Sequence, residues 1–324
     1  MIPFSLSELD LSDNRFKKIQ HLGIWRLCHL KQLIASSNPI NFEVTDSPKN
    51  VSECSQYALE RLDLSYCLNG TVPESLGRLA NLRSLDLSDS SLTGTIPEAL
   101  GRLRYLEALD LSYNQLDGSI PESLGRLANL RSLDLSDSSL TGTIPEALGR
   151  LRYLEALDLS YNQLDGSIPE SLGRLANLRS LDLSDSSLTG TIPEALGRLR
   201  YLEALDLSYN QLDGSIPESL GRLANLRSLD LSDSSLTGTI PEALGRLRYL
   251  EALDLSYNQL DGSIPESLGR LVNLRDIKLR VNRLTGTIPE SLGRLRYLET
   301  LYLNDNQLNG SIPEFFGKST ALKS

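Results

Sequence analysis

The chain has 324 residues, of which 40% are apolar, 23% charged and 6% aromatic, and its formal net charge is -10. Three Cys and two His are too few for a dense metal cluster or a small disulfide-held fold, and the negative charge disfavours nucleic acids and anionic membranes as partners. No apolar run is long enough to span a bilayer, and the first residues lack a secretory signal pattern, so the location stays unassigned.

The first 73 residues are irregular. The spacing from Leu33 to Leu62 is 29 residues, where the rest of the chain repeats every 24. We therefore predict an insertion around residues 41–55 that bulges as a loop. Trp25, the one tryptophan, is expected to pack in the core of this end of the fold.

An exact internal repeat follows. Residues 74–121 recur without a change at 122–169, 170–217 and 218–265. Each 48-residue block divides into two 24-residue halves that share the frame LxxLxLxxxxLxGxIPxxLGxL. Sequence drift scrambles natural repeats at exposed positions, so identity here favours a designed or synthetic consensus array, with a recent natural duplication as the alternative.

Each 24-residue unit has two apolar periodicities. Leu109 and Leu111 alternate with Asp110 and Ser112, which predicts a short strand with one buried face. Leucines three residues apart then suit a tight helical turn, at Leu100, Leu103 and Leu106.

Glycine and proline mark the bends of the unit. Gly118 and Pro121 bracket one bend, and Gly101 is expected to mark the return of the chain. A coil this small cannot bury its own apolar face, so coils must stack. We predict one continuous domain of about thirteen coils, with irregular capping repeats at 1–73, the identical array at 74–265, and variant repeats with a C-terminal cap at 266–324.

The frame resembles the plant-specific leucine-rich repeat, LxxLxLxxNxLxGxIPxxLGxL, in nearly every unit from residue 80 to 313. The resemblance implies an α/β solenoid: a right-handed superhelix with a parallel concave β-sheet, a convex side rich in 3₁₀ helix and turns, and a second short strand near GxIP. It also implies a binding function, since similar proteins are extracellular receptor ectodomains, receptor-like immune proteins and polygalacturonase inhibitors.

Two columns of polar residues are expected on the concave face, where such repeats bind their ligands. One is an aspartate column, with Asp10 and Asp63 extending it, and the other alternates aspartate with tyrosine. Arg83 and Glu107 begin a third, alternating column. The candidate binding residues are Asp86, Asp110, Asp134, Asp158, Asp182, Asp206, Asp230 and Asp254 in the first column, and Asp89, Tyr113, Asp137, Tyr161, Asp185, Tyr209, Asp233 and Tyr257 in the second.

The aspartate column has two further interpretations. It is family consensus without a ligand, or it binds cations weakly between neighbouring carboxylates, although calcium requires six to eight oxygens and the column offers one carboxylate per coil. Paired Thr93 and Thr95 suggest an ice-binding row, but the pair recurs only in every second coil.

The resemblance also assigns structural roles. Asparagines at the ladder position of the frame should hydrogen-bond the backbone of adjacent coils, and serines replace them in alternate units, so we expect a weaker ladder there: Asn114, Asn162, Asn210, Asn258, Asn282 and Asn306 against Ser90, Ser138, Ser186 and Ser234. In similar receptor-like proteins a pair such as Cys28 and Cys54 forms a disulfide. Cys67 takes a ladder position and is expected to be a buried thiol. Glycosylation sequons occur at Asn50, Asn69 and Asn309.

These observations favour a designed, non-catalytic leucine-rich repeat scaffold with a concave protein-recognition surface. The alternative is a ligand-binding ectodomain fragment of a plant receptor-like protein, or weak cation binding along the aspartate column. No Ser/His/Asp or Cys/His arrangement recurs in the array, since His21 and His29 lie outside it. We expect no metal and no cofactor, a protein ligand on the concave face, and open ends through which copies could stack on themselves.

Overall fold

The computed structural model describes residues 6–16, 28–38, 42–43, 54 and 56–315. The predictions for Trp25, for His21, for Asn50 and for the end of the chain beyond residue 315 lie outside these residues. The chain divides into two compact units, Met1–Gln163 and Leu164–Ser324, each of which is described by itself. The division into capping, array and variant segments of one domain stays a prediction.

Each unit contains a parallel main sheet with one strand per coil, thirteen strands over the described chain. The first unit contributes Glu8–Asp10, Gln32–Ile34, Arg61–Asp63, Ser84–Asp86, Ala108–Asp110, Ser132–Asp134 and Ala156–Asp158. The second unit contributes Ser180–Asp182, Ala204–Asp206, Ser228–Asp230, Ala252–Asp254, Asp276–Lys278 and Thr300–Tyr302. The period-2 pattern thus predicts the strands, although each ends at its third residue.

A second set of short strands lies near the GxIP segments, as the resemblance implies. In the first unit they are Phe42–Glu43, Leu68–Thr71, Ser91–Thr95 and Gln115–Asp117, which form one parallel sheet, and Thr141–Thr143. Gln163–Asp165 begins at the last residue of that unit. In the second unit they pair two by two: Thr189–Thr191 with Gln211–Asp213, Thr237–Thr239 with Gln259–Asp261, and Thr285–Gly286 with Gln307–Leu308.

The predicted helical turns are 3₁₀ helices. Each follows an extended proline, begins with Glu and ends with Arg, the charges that suit its two ends. After the helix that starts at Glu98, the N–H of Leu103 donates to the carbonyl of Leu100 at 3.0 Å. The helices are Glu74–Arg78, Glu98–Arg102, Glu122–Arg126 and Glu146–Arg150 in the first unit, and Glu170–Arg174, Glu194–Arg198, Glu218–Arg222, Glu242–Arg246, Glu266–Arg270 and Glu290–Arg294 in the second.

Leucine columns form the core. Leu100, Leu103 and Leu106 are fully buried, and Leu109 and Leu111 are 1% and 0% exposed. Complete burial of one leucine side chain contributes about 2 kcal/mol, and each coil places several such residues in the interior. The leucine spacing of the sequence therefore gives the buried positions directly.

Two glycines of the unit have different reasons to be glycine. Gly118 has φ of +70°, the left-handed conformation that a bend requires, as the sequence predicts. Gly101 does not need a special φ; instead its Cα faces the next coil, where an added Cβ would lie 2.6 Å from the Cβ of Ser123. The reading of Gly101 as a bend marker is therefore wrong, because close stacking of the 3₁₀ helices requires it.

The insertion near residue 41 differs in part from the expected loop. Phe42–Glu43 is a strand that pairs in parallel with Leu68 and Asn69. These two residues therefore extend the second sheet, and of the rest of the insertion only Cys54 lies within the described residues.

Ser112 differs from the simple alternation of buried and exposed residues. It is 4% exposed, and its hydroxyl donates a hydrogen bond to Asp110.

Candidate functional site

The aspartate column is in register within each unit. Asp110 pairs with Asp86 and Asp134, and Asp230 pairs with Asp206 and Asp254. Asp63 continues the column next to Asp86, but Asp10 does not, because Ile34 lies between it and Asp63 in the sheet. In the second unit the column ends at Lys278, whose Nζ lies 3.1 Å from Asp254.

Each aspartate of the column is held by its own coil. The Oδ1 atom of Asp206 accepts hydrogen bonds from the backbone N–H of Ser208 at 2.9 Å and from its hydroxyl at 2.6 Å. The same pair of bonds joins Asp134 to Ser136. One carboxylate oxygen of each is thus committed to local structure.

Burial changes the acidity of this column. Burial raises the pKa of Asp134 and of Asp206 to about 6, while the hydrogen bonds from Ser136 and Ser208 oppose the rise and the charges of neighbouring aspartates add to it. Burial likewise raises the pKa of Asp86 and Asp230. At mildly acidic pH these four aspartates therefore carry less charge than the sequence suggests.

The raised pKa values of these aspartates predict that the stability of the fold depends on pH. A carboxyl whose folded pKa lies above its unfolded value favours folding in its protonated form, so stability falls as pH rises from about 4 through about 6. We expect Asp206→Asn, which keeps an oxygen to accept the Ser208 bonds, to raise stability near neutral pH by on the order of 1 to 2 kcal/mol, after allowing for partial exposure. Chemical unfolding at several pH values measures this change.

The matched control for that prediction is Asp213→Asn. Asp213 is an exposed aspartate of the same coil outside the column. Both variants remove one negative charge from the unit, so an equal gain from both would show that net charge, rather than burial within the column, sets the pH dependence.

The tyrosine–aspartate column lies beside the first. It comprises Tyr66, Asp89, Tyr113, Asp137 and Tyr161 in the first unit and Asp185, Tyr209, Asp233 and Tyr257 in the second. All nine residues have φ between 49° and 58°, a left-handed conformation that fixes their direction. Tyr66, the first member, is absent from the residues chosen on sequence.

The hydroxyls of Tyr66, Tyr113 and Tyr209 bond to aspartates of the next coil. Tyr66 is paired with Asp89, and this hydrogen bond, more than the charge of Asp89, raises the pKa of Tyr66. The charge of Asp137 and a hydrogen bond with it raise the pKa of Tyr113, and the charge of Asp89 adds to the rise. Tyr66 is 59% exposed and Tyr113 56%, so each ring is held in place while it remains open to solvent.

The second unit places one of its own cations on this column. The guanidinium of Arg280 lies over the rings of Tyr257 and Tyr302, 5.0 and 5.7 Å from their centres. Its charge also acts on Asp233. Sequence reasoning missed this contact, although a signal existed: Lys278 and Arg280 replace Asp and Ser of the repeat at positions two residues apart.

The third column consists of ion pairs between coils. Arg179 bonds to Glu203, and Arg227 to Glu251, each at 2.6 Å, and the same pairing joins Arg83 to Glu107 and Arg131 to Glu155. These side chains are about half exposed, so each pair contributes less than about 1 kcal/mol. The column orders neighbouring coils and neutralises its own charges.

The asparagine ladder has the form that the resemblance implies. Asn114 accepts a bond from the N–H of Leu92 and donates to the carbonyls of Leu87, Leu111 and Ser112, all at 3.0 Å. Asn38 makes the same kind of contacts near the start of the chain, at a position that the sequence reasoning did not include.

The serine positions of the ladder are weaker. The buried hydroxyl oxygens of Ser138 and Ser234 have no hydrogen-bond partner among the described residues. Ser90 is different, because it donates to Ser88 and accepts from the N–H groups of Cys67 and Leu68. The expected weakening at alternate coils thus holds at Ser138, Ser186 and Ser234 and fails at Ser90.

We expect Ser234→Asn to stabilise the second unit by about 1 kcal/mol, because the amide can reach the carbonyl of Leu207 as Asn258 reaches that of Leu231. Thermal unfolding of the purified variant measures the gain. Ser235→Asn, which adds the same group at the next position outside the ladder, is the control. A loss of stability in Ser234→Asn with an unchanged control would contradict the ladder interpretation.

The cysteines and sequons have defined positions. Cys28 and Cys54 are joined by a disulfide, with their Cα atoms 5.3 Å apart. Cys67 is buried, its thiol donates to the carbonyl of Ala35 at 2.9 Å, and burial raises its pKa. Of the sequon asparagines, Asn309 is exposed and Asn69 lies half-buried in a strand.

The described residues contain neither a metal-ligand cluster nor a membrane-spanning helix. No group of three or more His, Cys, Asp or Glu side chains is arranged to hold a metal ion in that part of the chain. Over the same residues, no helix has the length and apolar character needed to cross a membrane.

Comparisons with known proteins identify the family. A family model described as a leucine-rich repeat region matches residues 29–187 and 157–307, and a second, Leucine Rich Repeat, matches 297–319. The chain belongs to the leucine-rich repeat family. No curated protein matches this leucine-rich repeat sequence.

Solved structures place it among plant-type leucine-rich repeats. The plant peptide hormone receptor RGFR1 in complex with RGF2 is 34% identical with a TM-score of 0.89, over 98% of this chain and 55% of the receptor. PEPR1 with AtPEP1 is 39% identical with a TM-score of 0.73, over 82% of this chain and 41% of that one. The leucine-rich repeat chain thus spans about half the length of these receptors, or less.

A plant ice-binding protein is also similar, with 29% identity and a TM-score of 0.58 over 78% of this chain and 76% of that protein. The threonine rows of this leucine-rich repeat chain are interrupted, however. Thr95 pairs with Asp117, Thr191 with Asp213 and Thr239 with Asp261 in the second sheets. The alternation seen in the sequence therefore persists in three dimensions.

Proposed function

We propose that this chain is a non-catalytic recognition scaffold that binds an extended protein segment on the open face of its main sheets. The carrying observation is the tyrosine–aspartate column, whose exposed rings are fixed by left-handed backbone and, at Tyr66, Tyr113 and Tyr209, by hydroxyl bonds to the next coil. Rigid aromatic side chains beside charged groups supply binding area at a low entropic cost. The complexes of RGFR1 with RGF2 and of PEPR1 with AtPEP1 support this proposal.

We further propose that residues 74–265 are an engineered consensus array. Four identical blocks support this origin, because they present the same side chains at every second coil. A uniform surface of this kind suits modular recognition of a repetitive segment. A natural receptor ectodomain needs different side chains along its face, which makes it the weaker alternative.

Selection from a random peptide library tests the recognition function. The library is selected on the purified protein and counter-selected on a variant with Tyr66, Tyr113, Tyr161, Tyr209 and Tyr257 changed to Asn, a residue that accepts the left-handed conformation. We expect enriched peptides that bind the parent protein and lose binding to the variant. Peptides that bind both proteins equally, or no enrichment over repeated selections, would contradict the proposal.

A further inference from the structure

In the second unit, two cationic side chains of the chain itself contact the tyrosine and aspartate columns. The Arg280 guanidinium lies over two tyrosine rings, at 5.0 Å from Tyr257 and 5.7 Å from Tyr302. Nearby, the amine of Lys278 is 3.1 Å from Asp254, in register with the aspartate column. Both cations occur in the variant repeat that follows the array. The acidic, aromatic face is thus already paired with positive side chains at one position.

At Tyr66 and Tyr113 the first unit presents the same residue types without such a cation among the described residues. Asp89 lies between them in the column, because the N–H of Tyr66 donates to the carbonyl of Ser88 and the N–H of Asp89 donates to the carbonyl of Ser112, which places Tyr66, Asp89 and Tyr113 in successive coils. A guanidinium over either ring would therefore have a carboxylate within reach.

From these two observations we infer the chemical class of the partner: an extended cationic segment with arginine at every third residue, bound on the tyrosine–aspartate column of the first unit. The inference rests on the proposed recognition function. It assigns one arginine to Tyr66 and one to Tyr113, in the arrangement that Arg280 adopts on Tyr257.

The spacing follows from the coil repeat. Neighbouring parallel strands are about 4.8 Å apart, and tyrosines recur at every second strand, so their spacing is about 9.6 Å. Three residues of a segment in the polyproline II conformation span about 9.3 Å and complete one turn, so residues three apart lie on the same face, whereas two residues span about 6.2 Å and four about 12.4 Å. Only the three-residue spacing keeps successive arginines over successive rings.

The side-chain chemistry favours arginine over lysine. A guanidinium is planar, stacks on an aromatic face and donates to a carboxylate in the same plane. An ammonium is a strongly hydrated point charge without a stacking face. The column therefore distinguishes two cations of equal charge.

Fluorescence anisotropy with labelled synthetic peptides tests the inference. Each peptide carries three arginines, with spacers of proline that hold the polyproline II conformation, and the arginines are placed two, three or four residues apart at constant length and charge. We expect the three-residue spacing to bind about tenfold more tightly than the others, since each misplaced arginine loses a contact worth roughly two- to fivefold in affinity. Replacing the arginines by lysine should weaken binding by a similar factor.

Variants of the protein locate the site. Tyr66→Asn with Tyr113→Asn should remove the preference for the three-residue spacing, and circular dichroism checks that the variant is folded. Asp89→Asn keeps the shape of the site and should weaken all the arginine peptides by a few-fold, with a smaller salt dependence. Equal affinity for all spacings, or an unchanged preference in the tyrosine variant, would overturn the inference.

The library selection separates this inference from the proposed function. Binders that depend on the tyrosines but lack arginine at every third position would leave the recognition function intact and overturn the arginine register. Absence of any tyrosine-dependent binder would overturn both. Enrichment of arginine at three-residue intervals would support both.

Discussion

We expect Gly221→Ala to destabilise the second unit by about 3 kcal/mol or more, at the upper end of the cost of overpacking a core. A Cβ at this position would lie 2.7 Å from both the carbonyl carbon and the Cβ of Ala243 in the next coil. The obstacle includes backbone, which cannot move aside without separating the two 3₁₀ helices. Chemical denaturation of the purified variant measures the loss.

The control is Gly238→Ala in the same unit. Gly238 has φ of +73°, but its added Cβ would meet only the Cβ of Ser215, at an ordinary 3.6 Å. This substitution carries only the conformational cost, about 1 to 2 kcal/mol. If both variants lost the same stability, backbone conformation rather than coil stacking would explain the repeated glycine of the helices.

We expect Asn210→Ala to destabilise the second unit by about 3 kcal/mol. Its amide accepts from the N–H of Leu188 at 3.0 Å and donates to the carbonyls of Leu183, Leu207 and Ser208 at 2.8, 3.2 and 3.0 Å. Alanine leaves buried groups of two coils without these partners, and each such group costs about 1 to 3 kcal/mol. Thermal and chemical unfolding measure the loss.

Asn210→Ser is the matched variant, because it converts this coil to the residue already present at position 234. It should lose about as much as the alanine variant, since the buried hydroxyl of Ser234 has no hydrogen-bond partner. A clearly smaller loss would mean that serine keeps a ladder bond, and an alanine variant as stable as the parent would exclude a structural role for Asn210.

Several features of the site are readable from the sequence because of its strict period. A 24-residue repeat returns the same residue to the same place in every coil, so Asp206 and Asp230 must be neighbours once strands pair in register. The two exceptions occur where the period or the residue type changes. Ile34 separates Asp10 from Asp63, and Lys278 ends the column.

Other features depend on distances between coils that a period does not contain. Gly101 and Gly118 are both expected to mark bends from the sequence. Glycine is required at position 101 because the next coil lies too close for a side chain, whereas at position 118 it is required by the positive φ. The raised pKa of Asp206 likewise follows from burial in the folded sheet. The cation–π contacts of Arg280 likewise involve two tyrosine rings from different coils.

The sequence by itself determined the coil: its length, its buried leucines and the columns on its face, because alternation and period are properties of the chain. The tertiary structure decided how the coils meet. It placed Gly221 against Ala243 and tied the Tyr66 hydroxyl to Asp89. These contacts join residues more than twenty positions apart, and their energies depend on interatomic distances that only the stacked coils define.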